Sequence, residues 1–506
     1  MEYLTLLILH KGGNMYHRKV LIIILILACF TISKNVHGES NNLKKGQLKV
    51  SEDGRFLQFQ DGKPFLWIGD TAWELFHRLN REEAKKYLKD RAEKGFTIIQ
   101  AVVLAEQDGL NTPNPFGETP LIDNDPARPN EKYFEHVDFI VNKAEELGIY
   151  VGMLPTWGDK VLSDHPGAGP VVFDEENAEV YGKFLGKRYQ NKPIVWILGG
   201  DRNVDNKEAY QIWNAMGRGI KKGDDGKHLM TYHPRGGAMS FYWFHNQDWL
   251  DFNMYQSGHG KRFNEVYKIA QKHKMISPKK PFLDGEPAYE DIPIKFWEFC
   301  DWSNPKRVPT HVLNANNLIK DKDYFERGYF TDYDVRIHAY WNFLAGACGY
   351  TYGNNAIWQM FDKDKPIAIP CLTNWKDALE RPGGQDMQHV RALLESRPFE
   401  KLIPDQSIIY GINPDGEKHI QAAGSLDNSY LLVYLSVGQP VKLFMDKIKG
   451  ETAVAWWYNP RNGKSQKIGE YKATGMQNFE PPSSGKNNDW ILVIDSKMAG
   501  YPTPGA

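Results

Sequence analysis

The chain has 506 residues, more than one hydrophobic core usually serves, so two folded domains are expected. Its 62 basic and 63 acidic residues leave a net charge of -1, which favours neither nucleic acid nor a polybasic membrane contact as partner. Aromatic residues make up 13% of the chain, and flat apolar rings beside hydroxyls and carboxylates suit sugar rings, although a large core also absorbs many of them.

In chain order, the N-terminus reads as an export signal over residues 1–38, with Met15 as an alternative start. His17, Arg18 and Lys19 precede an uncharged, mostly apolar run from Val20 to Ile32 that is too short to span a bilayer comfortably, and Gly38 with Val36 two before it offers a cleavage point. The competing reading is lipidation at Cys29, against which stands the bulky Leu27 before Ala28. Either reading predicts export to a periplasm, cell surface or medium, with no membrane insertion beyond this segment. Outside it only Cys300, Cys348 and Cys371 remain, an odd number without a C-x-x-C pair, so neither a disulfide scaffold nor a structural zinc site is expected.

"LKVSEDGRFLQFQDGKPF" has two short alternating runs, each followed by a D-G turn, and predicts a hairpin sealing one end of a barrel. From Phe65 to about Tyr352, eight short apolar runs alternate with helical patterns: "PFLWIGD", "FTIIQAVVL", "IYVGMLPTW", "PIVWILGGD", "HLMTYHP", "LDFNMY", "KPFLDGE" and "GYTYG". Amphipathic stretches such as "REEAKKYLKDRAEKG" and "YFEHVDFIVNKAEELG" each close on a glycine suited to a helix C-cap. The rhythm predicts an α/β fold, a parallel (β/α)8 TIM barrel spanning residues 39–405 with its hairpin. A doubly wound open sheet alternates in the same way but seldom needs eight strands. Residues 406–506 change pattern to short strands without a convincing helix and predict a C-terminal β-sandwich domain.

In such a barrel the chemistry sits at the C-terminal strand ends. Two carboxylates occupy them after strongly apolar runs, Asp201 on the fourth strand and Glu286 on the seventh, on opposite sides of the mouth. Facing acids are what glycosidic cleavage needs, one to protonate the leaving oxygen and one to attack the anomeric carbon or activate water. The alternatives are an N-cap or an ion pair with Arg202 for Asp201, and an ion pair with a lysine such as Lys280 for Glu286. Around them Asp70, Trp73, Gln100, Trp157, Asp159, Arg202, Asn203, His233, Arg235, Tyr255, Gln256, His259, Asn354 and Trp358 form a candidate sugar cradle. Asp70 and Asp159 have the alternative of orienting neighbouring basic side chains.

No G-x-S-x-G elbow and no H-E-x-x-H helix occurs, and "NPRNGKS" lacks the first glycine of a phosphate loop and reads as a surface turn. A metal hydrolase built on His233, His245 and His259 is the competing chemistry, but these residues lack tight ligand spacing. No cofactor and no metal is expected, and the oligomeric state is left open.

The segments "FLWIGDTAWELFHRL", "GFTIIQAVVL", "WILGGDRN" and "FLDGEPAYE" resemble bacterial proteins carrying the domain of unknown function 4038, which include the apiosidases of glycoside hydrolase family 140. The similarity runs from about Leu48 to Pro404, and the tail with "AWWYNPRNG" is similar to the companion domain named for collagen binding. The resemblance implies a retaining glycosidase acting on apiose-containing side chains of the pectin rhamnogalacturonan II, with Asp201 as acid/base and Glu286 as nucleophile; the alternatives are a barrel glycosidase for another plant or host glycan and a non-catalytic carbohydrate- or collagen-binding surface protein. One departure stands out: the wider clan of such barrels ends its fourth strand in Asn-Glu, where this chain has Gly200-Asp201. Aspartate is one methylene shorter, so either the acid works over a longer reach or the backbone comes closer to the sugar, and the two preceding glycines are expected to provide the clearance for the latter.

Overall fold

The computed structural model of the protein describes residues 46–163 and 169–506. The export signal and the Cys29 lipidation site lie outside the described residues.

β1 (Leu48–Val50), β2 (Leu57–Phe59) and β3 (Pro64–Phe65) form a small antiparallel sheet rather than a two-stranded hairpin. Phe59 and Phe65 pack on Tyr150, and Leu48, Leu57 and Phe65 join the apolar cluster inside the barrel floor. The expected seal is therefore present, with one strand more.

The barrel strands are β4 (Trp67–Thr71), β5 (Ile98–Leu104), β6 (Tyr150–Thr156), β7 (Ile194–Gly199), β8 (Met230–His233), β9 (Asn253–Tyr255), β10 (Phe282–Asp284) and β11 (Gly349–Tyr352). All neighbours pair in parallel, in the order β8-β7-β6-β5-β4-β11-β10-β9. The ring closes between β8 and β9, where the Asp251 amide donates to the Met230 carbonyl at 2.9 Å and the Thr231 hydroxyl to the Phe252 carbonyl at 2.7 Å. The eight runs found in the sequence are these eight strands, in order.

Every residue of β5, β6 and β7 is buried, because one face meets the barrel interior and the other the helices. On β7, Val195 and Ile197 point inward, while Trp196 and Leu198 join the helix-side core. The interior is packed solid, as such barrels require. Trp67 crosses it, donating its indole N–H to Thr351 Oγ1 at 3.0 Å. Glycine is needed beside it, since a Cβ on Gly349 would lie 2.5 Å from that of Trp67.

The helices form where capping residues start them. Asn80 accepts from the amides of Glu82 and Glu83 to open Arg81–Glu93, which ends at Gly95 with φ +79°; Asn130 opens Glu131–Glu146, which ends at Gly148 with φ +72°.

β12 (Leu402–Pro404), β13 (Ile420–Ser425), β14 (Tyr430–Leu435), β15 (Val441–Phe444), β16 (Thr452–Asn459), β17 (Lys464–Lys472), β18 (Met476–Phe479) and β19 (Trp490–Ser496) build the C-terminal domain. Its six-stranded antiparallel sheet, β12-β13-β14-β19-β16-β17, alternates faces strictly. Leu431, Val433, Leu435, Leu492 and Ile494 pack in one core with residues of the β15-β18 ribbon, whereas Leu432, Tyr434, Ile491 and Val493 join the barrel core. The contact is also polar: Arg336, buried on a barrel helix, reaches Asp489 at 3.1 Å, and Arg397 reaches Asp495 at 2.7 Å. The "NPRNGKS" segment is the turn between β16 and β17, with Gly463 N donating to Asn459 O at 2.9 Å.

Candidate active site

β7 ends in three consecutive residues with positive φ, Gly199 (+89°), Gly200 (+117°) and Asp201 (+50°). The Gly199 and Gly200 geometries suit glycine; the left-handed Asp201 costs about 1–2 kcal/mol, a strain typical of functional sites. The kink is held on both sides: Gly200 N donates to His233 O at 3.0 Å, and its carbonyl accepts from Gly158 N at 3.1 Å. Behind it the Arg202 carbonyl accepts the Tyr232 hydroxyl at 2.8 Å. A Cβ on Gly200 would lie 2.8 Å from Trp157 Cε3, so the space is filled by Trp157 and Gly158. This corrects the clearance expectation: the glycines serve the turn and its packing.

Asp201 is turned toward β8, its amide 3.3 Å from Nδ1 of His233. That bond assigns Nδ1 as acceptor and leaves Nε2 to carry the proton, at 3.1 Å from Oε2 of Glu286. His259 Nε2 meets the other oxygen, Oε1, at 3.1 Å. Both imidazoles thus converge on one carboxylate, and one of them sits between it and the Asp201 amide. The main chain at Glu286 is fixed by Gly258 N, which donates to its carbonyl at 3.0 Å, and by Gln100 Nε2, which donates to the Gly285 carbonyl at 2.8 Å. Tyr289 lies against His259, ring centroids 4.5 Å apart.

This arrangement drives the two acids apart in proton affinity. Burial and then the nearby Glu286 charge push Asp201 up to about 6, against the opposing pull of Arg202, His233 and Arg235. Burial also works against ionised Glu286, but hydrogen bonds from His233 and His259 outweigh it and hold the group down at about 2. At mildly acid pH one carboxyl is therefore protonated and the other ionised, the division of labour that acid/base and nucleophile require.

Of the alternative roles, only the Asp201–Arg202 ion pair is present, and it is long, at 3.9 Å. Lys280 donates to the Leu250 carbonyl, not to Glu286. Asn206, not Asp201, caps the following helix, and the Arg202 guanidinium stands 3.9 Å from Asp201 Oδ2 while donating to its main-chain carbonyl at 2.8 Å. The three histidines do not converge either, since His245 Nε2 pairs with the Pro278 carbonyl.

Of the sequence-predicted cradle, Trp73, Gln100, Trp157, Arg202, Asn203, His233 and Gln256 gather here. Trp73 and Trp157 wall His233, with centroids 5.5 and 6.1 Å away. Asn203 Oδ1 accepts from Arg235 N at 3.3 Å, and Gln256 lies beside Gly236 and Gly258. Trp358 belongs to the same apolar cluster as Trp73 and Trp157, its indole N–H bonded to Asn355.

Four expected members are engaged elsewhere. Asp70 faces the helix layer, 2.7 Å from the Arg91 guanidinium and 2.6 Å from the Tyr87 hydroxyl, and Asp159 pairs with buried Lys160 at 2.8 Å. Tyr255 also points outward, to Asn342, and Asn354 caps the short helix Asn355–Trp358 through Ala356 N.

Sequence reasoning overlooked Glu106, two residues past the end of β5. Burial, then the Asp159 and Asp201 charges, raise it to about 7 against the pull of Arg202, which marks it as a neighbour of the acid. The strand-end rule that found Asp201 would have found it too.

A parallel barrel with two oppositely tuned carboxyls after its fourth and seventh strands is the architecture of a glycoside hydrolase, and comparison with known proteins agrees. A solved glycoside hydrolase is 33% identical, covering 90% of this chain and 98% of its own at a TM-score of 0.77. A Bacteroides vulgatus glycoside hydrolase described as family 5 is 32% identical over 91% of this chain and 95% of its own, also at 0.77. No functionally curated protein matches the chain. Residues 51–401 match the family model "Apiosidase-like, catalytic domain", and residues 403–495 match "Putative collagen-binding domain of a collagenase". The chain belongs to the apiosidase-like glycoside hydrolases.

Proposed function

We propose that the protein is an exported retaining glycosidase of pectic glycans, an apiosidase acting on rhamnogalacturonan II side chains. The observation that carries the acid assignment is the pair of imidazoles on Glu286 beside a kinked, proton-retaining Asp201. The sugar assignment rests on the family match over residues 51–401.

Asp201 donates its proton to the glycosidic oxygen as the bond to the leaving group breaks, and Glu286 bonds to the anomeric carbon. Water then enters; Asp201 takes its proton, the hydroxyl replaces Glu286, and the carboxylate is regenerated. Retention requires carboxyl groups about 5 to 5.5 Å apart. The Nε2 proton of His233 holds Glu286 ionised until attack. The C-terminal domain braces the barrel, since one face of its main sheet is used up in that contact.

The test is product analysis on purified rhamnogalacturonan II side chains with wild type, Asp201→Asn and Glu286→Gln. Release of apiose-terminated products with retained anomeric configuration by wild type alone is expected. Equal traces from all three would end the enzyme reading, and cleavage of a different glycan from a parallel oligosaccharide panel would replace the substrate.

A further inference from the structure

Leaving the paired acids, the chain of ring contacts continues outward. His259, which holds Oε1 of Glu286, has the Phe296 ring 6.1 Å from its own, and Lys295 N donates to the His259 carbonyl at 3.0 Å. Phe296 is half-buried and carries two further rings: Trp297 at 5.2 Å and Trp302 at 6.2 Å. These two tryptophans are 46% and 52% exposed, whereas Trp73, Trp157 and Trp358 nearer the acids are buried. Two large exposed indoles on one half-buried ring form a contiguous apolar patch, and such patches mark binding surfaces.

Each ring is held in place. Gly260 lies under the edge of Trp297, where a Cβ would stand 3.6 Å from Cη2. The Arg307 guanidinium covers Trp302, 5.3 Å from its centroid, and donates to the Trp302 carbonyl at 2.9 Å. The segment between is tied by Glu298, bonded to Lys295 at 3.2 Å and to Arg327 at 2.6 Å. Two indoles held in this way, reached through Phe296 and His259 from Glu286, lose little conformational freedom on accepting a ring.

We infer that Trp297 and Trp302 form a second sugar subsite, stacking a ring of the glycan next to the one that reacts. The inference rests on the glycosidase reading and adds to it the residues that hold a sugar beyond the reacting one. Neither tryptophan carries chemistry, and truncating either leaves the Arg307–Trp302 main-chain bond in place. The effect therefore falls on binding of the longer glycan.

The experiment uses the full chain carrying Asp201→Asn, so that substrate survives, with Trp297→Ala, Trp302→Ala, Trp297→Phe and Trp302→Phe added singly. Calorimetric titration compares rhamnogalacturonan II side-chain oligosaccharides, a panel of other plant oligosaccharides, and the constituent monosaccharides. Each alanine variant is expected to weaken oligosaccharide binding about tenfold while leaving monosaccharide binding unchanged, and each phenylalanine variant to restore most of the loss. Phe116→Ala, another exposed ring, is the control for general surface effects. Equal oligosaccharide affinity in the parent and both alanine variants overturns the subsite. A parent that binds no glycan in the panel overturns the glycosidase reading on which it stands. A variant with altered melting temperature is judged by its Phe counterpart, whose failure to recover affinity while folded also counts against the stacking role.

Discussion

Replacing Glu286 with glutamine keeps the shape of the side chain and removes the negative charge facing Asp201. In the native site Asp201 stands at about 6 against an ordinary 3.8, with burial as the larger cause and the Glu286 charge as the second. Burial survives the substitution, as do Arg202, His233 and Arg235, which all pull downward. Losing a like charge favours the ionised form, so Asp201 is expected to fall part of the way back toward its ordinary value. The assay is a carbon-13 NMR titration of aspartate-labelled protein, with the Asp201 resonance assigned by its absence from Asp201→Asn. An Asp201 pKa that stays at about 6 or rises in Glu286→Gln would refute the claim that the two carboxyls are electrostatically coupled across His233.

The same geometry sets further expectations. On the proposed mechanism kcat/KM depends on protonated Asp201 and ionised Glu286, so it should fall about tenfold per pH unit above about 6, and a rate still rising at pH 8 would contradict the assignment. Glu286 is lower in the folded chain, at about 2, than its ordinary 4.5, so its ionisation stabilises the fold above pH 4.5 and this contribution is lost between about 4.5 and 2; the stability difference between wild type and Glu286→Gln, read by urea unfolding, should shrink over that window. Gly200→Val forces a Cβ to 2.8 Å from Trp157 at φ +117°, and should cost about 2–5 kcal/mol of stability as well as activity; an unchanged urea midpoint would show that the position is open. Arg336→Met leaves Asp386 and Asp489 without their buried cation, and should destabilise by about 3–5 kcal/mol in the same measurement, whereas a loss under 1 kcal/mol would mean that the contact between the domains does not depend on it.

Strand identity was legible because parallel strands buried on both faces read as unbroken apolar runs. That same burial erased the alternation that tells inward from outward. Asp70 and Tyr255 therefore looked like mouth residues, while the structure turns them toward Arg91 and Asn342. Asn354 shows a different limit, since a strand-end amide caps a helix as readily as it binds a hydroxyl. Glu106 stands two residues past its strand, as Asp201 does, and so obeys the same rule; its raised proton affinity, by contrast, arises only when folding brings Asp159 and Asp201 near it.

The order of apolar runs and helices was enough to define the barrel and the second domain and to single out two candidate acids, because each depends on local periodicity and on position at a strand end. How those acids differ was decided by tertiary structure. Asp201 and Glu286 are both carboxylates after apolar strands, and nothing local separates them. Their roles diverge because β8 brings His233 between them, the loop after β9 brings His259 to Glu286 alone, and Glu286 is buried while the Asp201 side chain stays a third exposed. Those are contacts between segments far apart in the chain, and the electrostatic environment they create exists only in the closed barrel.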